Sequence, residues 1–250
     1  MAEELELAGG NAADFVLRVG QTIRKPWAAS TESVQQFLTA LRLAGVEVPR
    51  PLGRDEQGRQ VIEFVDGTLA MDSGQLNSTE LRKVGEMIRI IHDNSPKPTP
   101  ADLAQWKVLI PAPKPDLICH NDLAPWNLIL GERMVFIDWD GSGPSSRLWD
   151  LAYAAQSFSG LWAGTNPEEA RTQLRAFVDG YRADEQQRRA LPETMVHRVQ
   201  AMYELLKRAN CAGEQPWAAM FDQGHGAHWK ATAEYVAEHL EIWREALIED

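Results

Sequence analysis

Residues 117–151 read LICHNDLAPWNLILGERMVFIDWDGSGPSSRLWDL. An apolar run leads into His120, Asn121, Asp122 and Asn127, and a second apolar run ends at Asp138. Gly131-Glu132-Arg133 separates the two apolar halves, so the spacing predicts an antiparallel hairpin with Asn127 and Asp138 side by side and Asp122 on the connection leading in. Asn and Asp oxygens are hard donors suited to Mg²⁺, which keeps several waters and binds nucleotide phosphates. A nearby carboxylate not committed to the metal can accept a proton from a substrate hydroxyl. These residue types in this order point to metal-assisted phosphoryl transfer.

Working outward, the 250 residues suffice for one large domain or two lobes. With 44% apolar and 24% charged residues the composition is that of an ordinary globular protein. No apolar run approaches the roughly 18–20 residues of a membrane span, and the acidic start is unlike a signal peptide. Cys119 and Cys211 make neither a disulfide framework nor a metal-ligand spacing, so a reduced, cytoplasmic protein is expected. The net charge of −11 argues against nucleic acid and anionic membranes as partners. Most of that charge lies C-terminally. Residues 1–65 carry seven Lys/Arg against nine Asp/Glu, and residues 66–250 carry 18 against 27.

The N-terminal part alternates strands, helix and strands. Phe15, Leu17 and Val19 alternate with Val16 and Arg18, Gly20-Gln21 can turn, and Thr22-Ile23-Arg24 resumes an extended pattern. Val34, Phe37, Leu38 and Leu41 share one face of a helix over Thr31 to Leu43. Gln60 to Val65 reads as a strand that Asp66-Gly67 breaks. Together these describe a small α+β lobe over residues 1–66. From Ser78, read as an N-cap, the chain turns helical apart from the central hairpin and a Pro-rich connection at residues 95–103. Asn166-Pro167 and Leu191-Pro192 read as helix starts, and residues 227–248 as a further helix. No GxxxxGK[ST] occurs, which excludes a Walker A nucleotide site.

His-x-Asp-x4-Asn, followed by an Asp closing the next strand, resembles the catalytic core of the protein-kinase-like fold. The form H-N-D-L-A-P-W-N with I-D-W-D, and Trp149-Asp150-Leu151-Ala152 downstream, is similar to the aminoglycoside phosphotransferase family, with its choline-kinase-like members. The resemblance implies an α+β, bilobal fold, with a small β-rich nucleotide-binding lobe over 1–66 and a larger, mainly helical catalytic lobe over 67–250. It also implies Mg²⁺ and ATP or GTP, with transfer of the γ-phosphoryl to a hydroxylated small molecule. By position Asp122 is the catalytic carboxylate, Asn127 and Asp138 hold the metal, and His120 braces the loop.

The resemblance assigns the phosphate grip to Arg24 first and Lys25 second, since neighbours on a strand face opposite ways. The turn at Gly9-Gly10 would approach the phosphates, and Glu63 to Gly67, with Glu63 and Val65 foremost, would form the hinge whose backbone holds the purine. The carboxylate that usually holds the basic residue is missing, because Val34 occupies its place on the helix. That departure motivates one alternative, a catalytically degenerate nucleotide-binding regulator. A metal hydrolase using His120, Asp122 and Asp138 lacks a second ligand cluster. On the substrate side, Trp126 and Trp139 could stack on a sugar or a cation, and Asp140 is a further metal or substrate contact.

Overall fold

The computed structural model describes residues 3–7 and 15–248. Five strands form an antiparallel N-terminal sheet in the order β1-β2-β3-β5-β4. They are β1 (Glu4–Glu6), β2 (Leu17–Val19), β3 (Thr22–Lys25), β4 (Pro51–Arg54) and β5 (Gln60–Glu63). Gly20, at φ +59°, makes the turn between β2 and β3 in a conformation that costs glycine nothing sterically. Between β3 and β4 lies helix α1 (Thr31–Leu43), with the bounds read from the sequence. Its buried Val34, Phe37, Leu38 and Leu41 repeat at helical spacing, which fixes the face turned inward.

The remainder is mainly helical, with two small sheets between helices. Strand β6 (Thr68–Leu69) pairs with β8 (Leu128–Leu130), which pairs in turn with β9 (Met134–Phe136), all antiparallel. Strand β7 (Leu117–Cys119) pairs with β10 (Gly143–Ser145). The helices are α2 (Ser78–Asn94), α3 (Pro100–Gln105), α4 (Arg147–Phe158), α5 (Pro167–Tyr181), α6 (Glu185–Ala212), α7 (Trp217–Met220), α8 (Gly226–Glu238) and α9 (Leu240–Ile248). One apolar core runs through both regions, from Phe37 and Leu41 on α1, through Trp139, to Trp243 and Leu247 on α9.

Two close backbone approaches set the frame for the site. After β5 the chain crosses the β8–β9 turn so tightly that a Cβ on Gly67 would stand 2.4 Å from the Leu130 carbonyl oxygen. A Cβ on Gly131 would stand equally close to that of Asp66. Helices α2 and α5 likewise touch backbone to backbone. A Cβ on Gly85 would lie 2.2 Å from the Phe177 carbonyl oxygen, and one on Gly180 would lie 2.0 Å from that of Arg82. That contact brings the ends of the two helices, with His92 and Tyr181, together.

Several boundaries differ from the sequence reading. Asn77, not Ser78, caps α2, accepting from the N–H groups of Thr79 (2.9 Å) and Glu80 (3.1 Å), while the Glu80 carboxylate reaches back to the Asn77 N–H. Pro192 starts no helix. Asp184 caps α6 in a capping box with Gln187, and Pro192 lies inside that helix, its ring buried. The Pro-rich connection holds the short α3, with Pro100 in its first turn and Thr99 as cap. Residues 227–248 divide between α8 and α9. Asp222 to Gly226 sit at a kink between α7 and α8, where Gly224 has φ +105°.

Gly85→Ala gains helix propensity but drives a Cβ into the α5 backbone, and the steric term dominates. We expect a loss of about 2 kcal/mol in urea unfolding, where an exposed helical Gly→Ala change would stabilise.

Candidate active site

The site forms where β7 and the β8–β9 hairpin deliver their ends together. Beyond β7, His120 is buried; its Nε2 donates to the Ile137 carbonyl (3.0 Å) and its Nδ1 accepts from the Asp122 N–H (3.3 Å). The hydrogen-bond partners assign this neutral tautomer, and His120 thereby ties the Asp122 loop to the strand that carries Asp138. Asn127 is buried, and its amide nitrogen donates to the Asp122 carboxylate (2.8 Å) and carbonyl (3.0 Å). With the nitrogen so engaged, its side-chain oxygen is left as the hard donor. The Ile137 N–H bonds the Asn127 carbonyl at 2.8 Å, setting Asp138 beside Asn127. Asp138 adopts a left-handed conformation (φ +60°, ψ +59°), unusual for a residue with a side chain.

The next residue explains that turn. Trp139 is 1% exposed, donates its indole N–H to the Phe136 carbonyl (2.8 Å), and meets Phe37 of α1 edge to face at 5.6 Å. With the indole driven into the core, Asp138 and Asp140 on either side face the N-terminal sheet. Lys25 of β3 reaches across to both, bonding the Asp138 carboxylate and lying 2.9 Å from an Asp140 oxygen. The other Asp140 oxygen accepts from the Gln60 amide at 3.1 Å. Burial alone would lower the Lys25 pKa, but the two carboxylates outweigh it and hold the ammonium above its ordinary value. For Asp122, burial raises the carboxyl pKa and the Asp138 charge adds to the rise, against the opposing influence of His120 and, less, of Tyr153 and Asn127.

Behind the loop lies a polar network from distant parts of the chain. Asp150, at the start of α4, is 1% exposed and accepts from the Asn121 N–H (2.9 Å) and bonds His92 Nε2 (3.0 Å). His92 Nδ1 bonds the Tyr181 hydroxyl at 2.9 Å, to which Arg147 donates at 3.1 Å. His92, Asp150 and Cys119 offer ligand-type atoms within 4.8 Å of one another. Both ring nitrogens of His92 are engaged and burial pushes the Cys119 thiol up, so this cluster is a hydrogen-bonded core. On the other side, the buried Arg198 of α6 stacks over Tyr153 (4.2 Å to the ring centre) and donates to the Asn121 carbonyl at 3.3 Å. Tyr153 in turn lies close to Asp122, and burial together with that carboxylate pushes its hydroxyl pKa up.

Comparison with known proteins places this geometry. The model of the phosphotransferase enzyme family matches residues 98–191, the stretch that holds the loop, the hairpin and Asp150. The chain is 24% identical over 263 residues to a trifolitoxin immunity protein of Rhizobium leguminosarum bv. trifolii, covering 99% of this chain and all of that one. A choline/ethanolamine kinase family protein from Mesorhizobium loti superimposes with a TM-score of 0.63 at 21% identity, over 97% of this chain and 92% of that chain. The amicoumacin kinase hAmiN, in complex with AMP-PNP, Ca²⁺ and Ami, superimposes at 0.64 with 15% identity, over 92% and 88% of the two chains. The chain has the protein-kinase-like fold. Its β-sheet N-terminal region and mainly helical C-terminal region correspond to those of the kinases it resembles.

Within that fold, the residues singled out from the sequence fall into three groups. Asp122, Asn127 and Asp138 converge. Lys25 faces them and Arg24 does not, reversing the order of preference. Arg24 shares a strand face with Thr22, bonding its hydroxyl (2.6 Å) and pairing with Asp55 at 3.2 Å. Lys25 instead shares the covered face of the buried Ile23, a signal present in the alternation itself. Trp139 is a core residue with no surface for a substrate, because the turn needs its indole inside. Trp126 stays half-buried, its ring edge-on to Tyr153 at 6.2 Å.

Asp140 bonds Lys25 and Gln60, so it is turned to the N-terminal sheet. The Glu63 carboxylate is bonded to Arg133 and to the Arg50 N–H (2.8 Å). The N–H groups of Glu63 and Phe64 donate to the carbonyls of Arg50 (2.9 Å) and Gln21 (3.0 Å). Val65 buries its side chain with Ile129 and Val135. Gly9 and Gly10 lie outside the described residues. The sequence reading missed His92, Gln60, Tyr153 and Arg198.

Two substitutions separate support from function. Asp150→Ala strands the Asn121 N–H and His92 in a buried space and is expected to cost about 3 kcal/mol or more. Asp122→Asn keeps the shape and removes a desolvated charge, so thermal unfolding is expected at an unchanged or higher temperature. Differential scanning calorimetry of the two variants checks both.

Proposed function

We propose that this protein is a small-molecule kinase that transfers the γ-phosphoryl group of ATP or GTP to a substrate hydroxyl, with Mg²⁺ as cofactor. The observation that carries the reading is the convergence of the Asp122–Asn127 pair and Asp138 opposite Lys25. Match of residues 98–191 to the phosphotransferase enzyme family and likeness to kinase structures support it. We assign residues 1–66 to the nucleotide lobe and 67–250 to the catalytic lobe, a boundary supported by the pairing of β6 with β8.

The donor set fits a hard divalent cation. Asn127 and Asp138 stand at the paired ends of β8 and β9, the Asn127 carbonyl bonded to the Ile137 N–H, and Asp138 takes a left-handed backbone. When bound, the metal neutralises phosphate charge. Lys25 binds the nucleotide phosphates, and the Val65 backbone is assigned to the purine edge because the Glu63 and Phe64 N–H groups are used within the sheet. Asp122, its pKa raised by burial, orients the acceptor hydroxyl and takes its proton. Asn127 holds the Asp122 carboxylate in place for this step, with Tyr153 beside it.

On the acceptor side we assign Trp126, backed by Tyr153 and by Trp229 stacked on Tyr153 at 6.1 Å. A cationic hydroxylated acceptor suits that aromatic wall and the acidic C-terminal region. The full-length likeness to a trifolitoxin immunity protein supports including toxins among the acceptors screened. Two free cysteines suit a reduced, cytoplasmic setting, and no helix among the described residues is long and apolar enough to cross a membrane.

The test is a thermal shift with Mg-ATP and Mg-GTP, followed by turnover on a panel of hydroxylated amines and toxins. Saturating nucleotide is expected to raise the wild-type midpoint by several degrees and to leave Asp138→Ala unmoved. Asp122→Ala is expected to lose at least about 100-fold in turnover while keeping the shift. No stabilisation by millimolar Mg-nucleotide would overturn the reading.

A further inference from the structure

The departure at Val34 has a structural answer. Helix α1 offers no carboxylate to the site. Val34 is 2% exposed in the core, Glu32 is solvent-exposed, and the Gln35 amide is engaged with the Gly53 carbonyl at 3.0 Å. A lysine on a flexible stem with nothing to orient it grips phosphate poorly, because its rotamer freedom must be given up on binding. Lys25 nevertheless has a fixed direction, because it and Gln60 are direct partners in the β3–β5 ladder and emerge on the same face. Both close on one carboxylate: Lys25 Nζ lies 2.9 Å from one Asp140 oxygen, and Gln60 Nε2 lies 3.1 Å from the other. Gln60 is 3% exposed, so its amide is fixed by packing. Asp140 is fixed at its other end by the buried Trp139.

We propose that Asp140, buttressed by Gln60, is the positioning residue for Lys25, doing from the β9–β10 connection what the helix after β3 does not do here. Asp138 also bonds Lys25, but it is the residue assigned to the metal, and a carboxylate turned to a cation cannot hold the ammonium as well. Two acid partners resolve this. With Asp138 turned to a cation, Lys25 would stay oriented by Asp140 for the phosphates. Asp140 is therefore neither a substrate contact nor a metal ligand.

The proposal rests on the nucleotide-binding reading above, and the experiment separates the two. ATP affinity is measured by isothermal titration calorimetry, once with EDTA and once with excess Mg²⁺, for wild type, Asp140→Asn, Lys25→Met and the double variant. Asp140→Asn is expected to weaken ATP about tenfold with Mg²⁺ and less with EDTA, where Asp138 still holds Lys25, and the double variant to bind no more weakly than Lys25→Met alone. Gln60→Met is expected to give a smaller loss in the same direction, and it carries the test should Asp140→Asn fail to fold. A loss that a higher Mg²⁺ concentration restores would make Asp140 a metal ligand and overturn the proposal. Multiplying losses in the double variant would overturn it by showing that the two side chains act independently. Wild type that binds neither ATP nor GTP would remove the nucleotide reading itself. Wild-type binding with Asp140→Asn and Gln60→Met unchanged would remove only this inference.

Discussion

The contact on which the arrangement depends is the Lys25 ammonium held between Asp138 and Asp140. It joins the N-terminal sheet to the hairpin turn of the helical region and draws two like charges to one cation. Two carboxylates two residues apart would repel if they shared a face unneutralised, and Lys25 removes that cost at the mouth of the cleft. The same contact sets a cation beside hard oxygen donors and near the desolvated Asp122.

Around this contact the protein spends its buried polar groups on backbone geometry. Asp150 holds the Asn121 N–H, Arg198 holds the Asn121 carbonyl, and His120 bonds the Asp122 N–H and the Ile137 carbonyl. Asn121, at φ +68°, and Asp138, at φ +60°, are two of the three non-glycine residues with positive φ among the described residues. Such conformations persist where their surroundings over-determine them. Here the determinants are named: a buried acid and arginine at Asn121, and a buried indole after Asp138. The close α2–α5 crossing belongs to the same support, since it brings His92 and Tyr181 to the back of Asp150.

What the sequence made legible was local. Asp122, Asn127 and Asp138 lie within one hairpin, and their spacing alone brings them together. Helix α1 was readable because its apolar stripe has helical period. Residues that reach the site from afar were not readable. His92 sits in an ordinary amphipathic helix, and Arg198 reads as one more surface cation in a helix rich in charge. Trp139 was misleading because acids flank it, and those acids face outward only because the indole faces inward. The choice between Arg24 and Lys25 was available, since Ile23 marks the covered face of β3. The Lys25–Gln60 cross-strand pair needed the register, which depends on a loop and helix of some thirty residues.

Asn127 and Asp138 are proposed to form, with a nucleotide, a site for a divalent cation. Electron paramagnetic resonance of Mn²⁺ tests this most directly, with the intact chain titrated in the presence and absence of ATP. The account predicts a saturable bound-Mn²⁺ signal that requires both nucleotide and an intact Asp138, and that disappears in folded Asp138→Ala. A bound signal of equal strength in wild type and Asp138→Ala would contradict it.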